Sequence, residues 1–187
     1  MTFAFCKSAN MEIIPASRWG RVLKNVPPKV KPKLIDELTI HYMGVEGPIT
    51  DDPRKIPGLI KNVERNHMAR TGENMSAIGY NFLIDKNGKI WEGRGWNYRN
   101  GANGTDSNDT SMSVCILVGT RDNKPTPEMI NAVRWLREQT AKKFRFVKRR
   151  QVTVRGHKAH KATSCPGPAL TRLIQAGAFQ EPSTPEA

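Results

Sequence analysis

The pattern of hydrophobic and polar positions along this chain predicts several short strands. ELTIHYM, residues 37–43, is rich in β-favouring side chains and has the length of a strand. IGYNFLIDKNGKIWEG has apolar flanks around Asn87 and Gly88, a pair that tolerates the backbone of a tight hairpin turn. The nearly continuous apolar run at 111–119 indicates a central strand covered on both faces, and residues 151–157 indicate a last strand.

Helical spacing alternates with these strands. Residues 57–70 carry apolar side chains three or four positions apart, and His67 lies in the same stripe. A second helix is expected to begin after Thr126, and a third helix in PALTRLIQAG is expected to end at Gly177. Strands interleaved with helices are typical of an α/β fold. We therefore expect a mixed central β-sheet flanked by helices on both faces.

The chain of 187 residues is long enough for one domain with its own core. Near the start, KNVPPKVKPK combines three prolines with four lysines, which favours an extended arm over a helix. The last residues, EPSTPEA, have the composition of a linker. We expect residues 1–33 to be an extension whose arm packs on the domain, residues 34–177 to be the catalytic domain, and residues 178–187 to be a linker-like tail.

The charge of the chain narrows its partners to anionic ones. Lys and Arg total 30 against 17 Asp and Glu, which gives a formal net charge of +13. Such a field attracts nucleic acid, anionic membrane and acidic cell-wall polymers alike. FRFVKRRQ, residues 144–151, is the densest basic cluster, but no nucleic-acid fold signature accompanies it. We favour attraction to an anionic cell envelope.

The cysteines and the N-terminal sequence argue against a disulfide framework and against a secretory signal or membrane anchor. Cys6, Cys115 and Cys165 differ too much in context to predict a disulfide framework, so we expect reduced thiols. The first fifteen residues lack the basic start and long apolar run of a secretory signal or membrane anchor. We expect a monomer that does not insert into membranes.

Candidate chemistry is concentrated in GHKAHKATSCPG, residues 156–167. His157 and Cys165 lie eight positions apart in a loop bounded by glycine and proline, a spacing compatible with zinc. A catalytic zinc uses three protein ligands, and His41, at the end of a predicted strand, is the best third candidate. The residues alone leave open that these three side chains are unrelated.

Three motifs together resemble a known family. TIHYMG, IGYNFLIDKNGKIWEGRGW and GHKAHKATSCPG are similar, in order and spacing, to zinc N-acetylmuramoyl-L-alanine amidases of phage-lysozyme type and to peptidoglycan-recognition proteins. The resemblance covers roughly residues 12–176. It implies zinc ligands at His41, His157 and Cys165, at the floor of a surface groove. It also implies that Tyr80 assists at the metal.

The resemblance implies the reaction as well. Family members hydrolyse the amide bond between N-acetylmuramic acid and the first L-alanine of the peptidoglycan stem peptide. A zinc-bound water supplies hydroxide near neutral pH, and the metal polarises the carbonyl. The implied setting is a phage endolysin, made in the host cytoplasm without a signal peptide and acting on the cell wall after release.

Two positions depart from the family pattern. Thr163 stands where some phage members have lysine, and its neutral hydroxyl cannot supply the same charge; it remains a candidate catalytic residue. Asn103 stands where many members have histidine, and its amide could hydrogen-bond a sugar or peptide. Arg94 and Trp96 are candidate substrate-binding residues, since a cation meets carboxylates and a ring stacks on sugars. An equally open interpretation is that Arg94 and Trp96 only pack at the end of the hairpin.

Two other functions compete with hydrolysis. Peptidoglycan-recognition proteins without the zinc ligands bind the stem peptide and do not cut it, and the presence of Cys165 argues against that class. A basic nucleic-acid-binding or polymerase-regulating protein would instead show steeply salt-dependent DNA binding and no response to a chelator. No motif in the chain requires it.

Overall fold

The computed structural model describes residues 11–69, 71–72, 74–121, 124–144 and 151–184. Cys6 and the basic positions 145–150 lie outside the described residues. In chain order the regular elements are β1 (Ile13–Ile14), β2 (Glu37–Tyr42), α1 (Ile56–Met68), β3 (Phe82–Ile84), β4 (Ile90–Glu92), β5 (Ser111–Ile116), α2 (Pro127–Lys143), β6 (Thr153–Gly156) and α3 (Pro168–Gln175).

Within the described residues, six strands form one sheet in the order β1-β4-β3-β5-β2-β6. All neighbouring pairs are parallel except β3 and β4, which form the antiparallel hairpin. All six residues of β5 are buried, as its continuous apolar run predicts. The α/β fold with a mixed sheet is therefore confirmed.

Helices cover opposite faces of this sheet. Successive side chains of β2 point to opposite faces, so Ile40 and His41 lie on different sides. Gly156, the register partner of Ile40, faces α3, because a Cβ added there would lie 3.4 Å from Ile174 Cδ1. His67 of α1 lines the same cavity as His41. Helix α1 and helix α3 thus flank the sheet from its two sides.

The boundary signals in the sequence act mostly as expected. Helix α2 begins after Thr126, whose Oγ1 accepts a hydrogen bond from Met129 N at 3.2 Å. In the hairpin turn, Gly88 alone of the predicted pair has a positive φ, of 74°. The Asp85 carboxylate supports this turn by accepting from the backbone N–H groups of Asn87 and Lys89.

Both chain ends pack on the domain where they are described. In the arm, Arg99 N donates to Pro28 O at 2.8 Å, and Lys31 Nζ forms an ion pair with Asp109 at 2.9 Å. At the other end, Phe179 is 1% exposed, and Thr184 N donates to the Asn131 side chain of α2. Residues 178–184 thus contact α2. This segment differs from the expected linker, because the buried ring of Phe179 anchors it.

No helix within the described ranges combines the length and apolar character needed to cross a membrane.

Candidate metal centre

An open cavity of about 380 Å³ lies on the face of the sheet that α1 covers. Three of its lining residues, His41, His157 and Cys165, have ligand atoms that all lie within 4.8 Å of one another. Nitrogen and sulfur donors at this spacing suit a transition metal such as zinc. The sequence-based grouping of these three residues is therefore reproduced in space.

Neighbouring strands and one loop bring the three side chains together. His41 is at the end of β2, and His157 opens a short 3₁₀ turn directly after β6, the strand beside β2. Cys165 ends the loop that follows. Gly156 permits this arrangement, because a Cβ there would lie 2.7 Å from Pro166 Cδ.

His41 is buried, with 2% of its surface exposed. Burial, with a further contribution from nearby His157, lowers the pKa of His41 from 6.5 to about 3. Its imidazole is therefore neutral near pH 7, the form that binds metals. Its Nε2 lies 2.6 Å from Asn103 Oδ1, and its Nδ1 lies 3.6 Å from Cys165 Sγ.

Cys165 is 9% exposed, and burial raises the pKa of its thiol to about 11. Without a cation the sulfur therefore keeps its proton, and a metal ion would displace it. The rings of His41 and His157 lie with their centroids 4.4 Å apart. Two imidazoles and one thiol give the donor set of a catalytic zinc site with a position left for water.

Tyr80 lines the cavity beside these residues. Its ring centroid lies 5.1 Å from that of His41, and also 5.1 Å from that of His67 on α1. The backbone on either side of it is held by hydrogen bonds, since Gly79 N donates to His67 Nδ1 and Asn81 N donates to Ser113 O. The prediction that places Tyr80 at the site thus agrees with its position.

Thr163 also lines the cavity. Its Oγ1 accepts a hydrogen bond from Cys165 N at 3.2 Å, so the hydroxyl supports the loop that carries the sulfur. Because that bond uses the oxygen as an acceptor, the hydroxyl proton remains a donor.

Arg94 does not lie in the cavity, which corrects its predicted substrate contact. It is 5% exposed, and its guanidinium donates to the backbone oxygens of Ile78, Ala77 and Arg99. Burial lowers the pKa of Arg94 to about 10. The side chain joins the segment before Tyr80 to the loop after Trp96, so its role is structural.

Trp96 and Asn103 are also placed away from the expected substrate contacts. Trp96 packs on Phe82, with centroids 4.5 Å apart, and lines a separate cavity with Trp135 of α2. Asn103 is 0% exposed beneath His41, so its amide cannot reach a sugar or peptide in the cavity.

His67 is the residue that the sequence interpretation left out. Its place in an apolar stripe indicated a core histidine, yet it lines the cavity. Its Nδ1 accepts from Gly79 N at 2.9 Å, so in the neutral ring the proton is on Nε2. The signal available was its position at the end of the stripe, one residue before α1 ends at Met68.

Comparison with known proteins agrees with this geometry. The sequence model of the N-acetylmuramoyl-L-alanine amidase family matches residues 31–168, which include all three candidate ligands. The chain belongs to this family. Among relatives of this chain, peptidoglycan-recognition protein SD of Drosophila melanogaster is 34% identical over 116 residues, covering 62% of this chain and 60% of that protein. The human N-acetylmuramoyl-L-alanine amidase is 28% identical over 163 residues, 87% of this chain.

The chain spans only 28% of that human protein. Among solved structures, the Drosophila recognition protein SD superposes with a TM-score of 0.77 at 26% identity, covering 93% of this chain and 96% of the other. The ectodomain complex of recognition proteins LCa and LCx bound to tracheal cytotoxin gives 0.76 at 25% identity, covering 88% and 95%. The amidase fold and family are thus shown together.

Proposed function

We propose that this protein is a zinc-dependent amidase that cleaves the bond between N-acetylmuramic acid and L-alanine in bacterial peptidoglycan. The observation that carries the proposal is the meeting of His41, His157 and Cys165 on the floor of an open cavity. Membership of the amidase family supports amide hydrolysis, and the human relative is named N-acetylmuramoyl-L-alanine amidase. The LCa and LCx complex holds tracheal cytotoxin, a monomeric diaminopimelic acid-type peptidoglycan, which supports a peptidoglycan fragment as the ligand.

Zinc, when held by these residues, supplies a hydroxide near neutral pH and polarises the amide carbonyl. The three side chains hold the ion, and the walls of the cavity orient the stem peptide. Tyr80 stands beside His41, where its hydroxyl donates to the oxygen on which negative charge develops.

Two further residues supply polar groups to the cavity. Thr163 retains its hydroxyl proton as a donor, because Cys165 N already uses its oxygen. His67 presents Nε2–H beside Tyr80. We assign Thr163 an assisting role at the reacting amide and His67 a contact with the substrate.

Mass spectrometry of a digest tests the proposal. Purified peptidoglycan is incubated with zinc-loaded protein, with chelated protein and with chelated protein given zinc again. We expect intact stem peptides with a free N-terminal alanine in the first and third samples only. Zinc-loaded protein that binds peptidoglycan without releasing such peptides would overturn the proposal.

That outcome would instead favour a recognition module, the second candidate function. Relatives named recognition proteins share the fold, and a complex of two of them binds tracheal cytotoxin. Retention of the complete His-His-Cys set argues for the enzyme, because binding alone does not require metal ligands.

The biological setting forms a separate part of the proposal. We infer a lytic enzyme that is made in the cytoplasm and reaches the wall on release, as the likeness to phage-lysozyme amidases implies. The net charge of +13 supports attraction to an anionic wall. Turbidity of a bacterial culture that expresses the protein should fall only after the membrane is permeabilised. Lysis without permeabilisation would contradict this setting.

A further inference from the structure

We infer that Asn103 is a positioning residue for the metal centre, whose side-chain oxygen fixes His41 in the tautomer that offers Nδ1 as a ligand atom. The positioning role rests on the proposed function, because it requires that a metal binds at this site. The tautomer itself is a property of the metal-free protein, and the hydrogen bonds around Asn103 determine it.

Two hydroxyl groups set the orientation of the Asn103 amide. Thr39 Oγ1 donates its proton to Glu37 Oε1 at 2.8 Å, and Ser111 Oγ donates to Ser107 O at 2.7 Å. A hydroxyl has one proton, so each oxygen accepts from its other neighbour. For both hydroxyls that neighbour is Asn103 Nδ2, which lies 3.0 Å from Thr39 Oγ1 and in contact with Ser111 Oγ. His160 Nε2 is a more distant neighbour of Thr39 Oγ1, at 3.4 Å, and leaves the direction of the Thr39 bond to Glu37 unchanged. Both protons of the amide nitrogen are thereby used.

Asn103 Oδ1 therefore faces His41. An amide oxygen only accepts, so His41 Nε2 carries the proton and donates across 2.6 Å. A neutral imidazole with its proton on Nε2 has a lone pair on Nδ1. That nitrogen points toward Cys165 Sγ, 3.6 Å away, in the ligand cluster.

The loop that carries Asn103 is built to hold it in place. Asn103 N donates to Asn108 Oδ1 at 2.9 Å, and Asn100 Nδ2 donates to the backbone oxygens of Asn108 and Ser111. Asn100, Asn103 and Ser111 are each at most 1% exposed. The polar run after the hairpin thus forms a frame behind His41.

The same network extends from Thr39 to the molecular surface. Glu37, which accepts the Thr39 proton, lies 2.6 Å from His160 Nε2 and 3.4 Å from Arg155 Nε. These cationic and polar partners keep Glu37 in place as an acceptor. The direction of donation toward Glu37 is what leaves Thr39 free to accept from Asn103. His160 thus supports the network and lies outside the ligand cluster.

Nitrogen NMR of metal-free wild-type protein tests the tautomer without any substitution. We expect the His41 signals of a ring with its proton on Nε2. A proton on Nδ1 would overturn the inference. This result does not depend on whether zinc binds, so a failure of zinc to bind would count against the proposed function alone.

Zinc affinity of two variants then tests the positioning role, by competition with a chromophoric chelator. Asn103→Leu keeps the branched shape and removes the acceptor, so we expect affinity to fall about 10- to 100-fold. Asn103→Asp keeps an oxygen opposite Nε2 and should bind at least about ten-fold more tightly than the leucine variant. Asn97→Leu, at an exposed asparagine six positions before Asn103, should bind zinc as the wild type does.

A merely structural role predicts a different pattern. In that case both Asn103 variants would lose affinity in proportion to the loss of metal-free thermal stability, and the aspartate would not rescue binding. A folded Asn103→Leu protein with wild-type zinc affinity would also overturn the inference. The d–d spectrum of the cobalt-loaded protein should shift in Asn103→Leu and stay unchanged in Asn97→Leu.

Discussion

Lys158 donates its backbone N–H to the carbonyl oxygen of Cys165 at 2.9 Å. This bond closes the loop after β6, so that His157 at its start and Cys165 at its end face the same cavity. A side chain of the loop adds to this closure, since Thr163 Oγ1 accepts from Cys165 N. One loop therefore supplies two candidate ligand atoms, and β2 supplies the third.

Replacing Cys165 with serine should abolish both zinc retention and hydrolysis. A neutral hydroxyl replaces a thiolate, which removes the charged sulfur ligand of the site. Zinc content by elemental analysis and free N-terminal alanine by mass spectrometry measure the two effects. Cys115→Ala is the matched control, because Cys115 is fully buried in β5 and is not one of the three clustered candidate ligands; it should retain zinc. Full activity of Cys165→Ser with normal zinc content would remove this residue from the site.

Replacing Tyr80 with phenylalanine should keep zinc and lower kcat about 10²- to 10³-fold. The ring packing on His41 and His67 is preserved, and the loss is that of one hydrogen bond to the developing oxyanion. Steady-state kinetics with a soluble muramyl peptide measure it. Tyr98→Phe, whose ring packs under Lys29 outside the cavity, should leave kcat unchanged. An unchanged rate for Tyr80→Phe would assign the tyrosine to packing.

Arg94→Met should lower the free energy of unfolding. The substitution leaves the backbone oxygens of Ile78 and Arg99 without their buried donor, at a cost of about 1–3 kcal/mol for each unsatisfied group. Denaturant unfolding should show a loss of about 3 kcal/mol. Arg54→Met is the control, since its guanidinium is 89% exposed, and its unfolding midpoint should stay close to that of the wild type. Wild-type stability with a raised KM for Arg94→Met would restore Arg94 as a substrate contact.

The arm should respond to the ionisation of Asp109. Hydrogen bonds from Lys31, then from Arg99, lower the pKa of this carboxyl below 3.8. A depressed folded-state pKa means that the carboxylate stabilises the fold above its unfolded pKa. This contribution is lost as pH falls through the folded pKa. Carboxyl NMR titration should show Asp109 below 3.8, and Lys31→Met should raise its pKa toward that value. An identical titration in the variant would show that the arm is not held there in solution.

Strand β2, the hairpin and β5 were predictable from sequence because burial dictates their residue patterns. The ligand set was predictable because metal chemistry restricts it to few residue types in ordered motifs. The environment of Arg94 and Asn103 was not, since a polar residue after a hairpin has the same sequence pattern whether it faces solvent or fills a gap beneath the site. Only the spatial position of the carbonyls around Arg94 and the hydroxyls around Asn103 distinguishes the two.

The wide sequence separation within the ligand cluster has a consequence for proteolysis. His41 and Cys165 are 124 positions apart, and an ion held by both would join them as a cross-link joins distant parts of a chain. Because the unfolded chain does not keep these ligands together, binding of the ion favours the folded state and disfavours local opening of β6 away from the sheet. In a protease-rich environment, the same ion that serves the reaction would thus lengthen the lifetime of the protein.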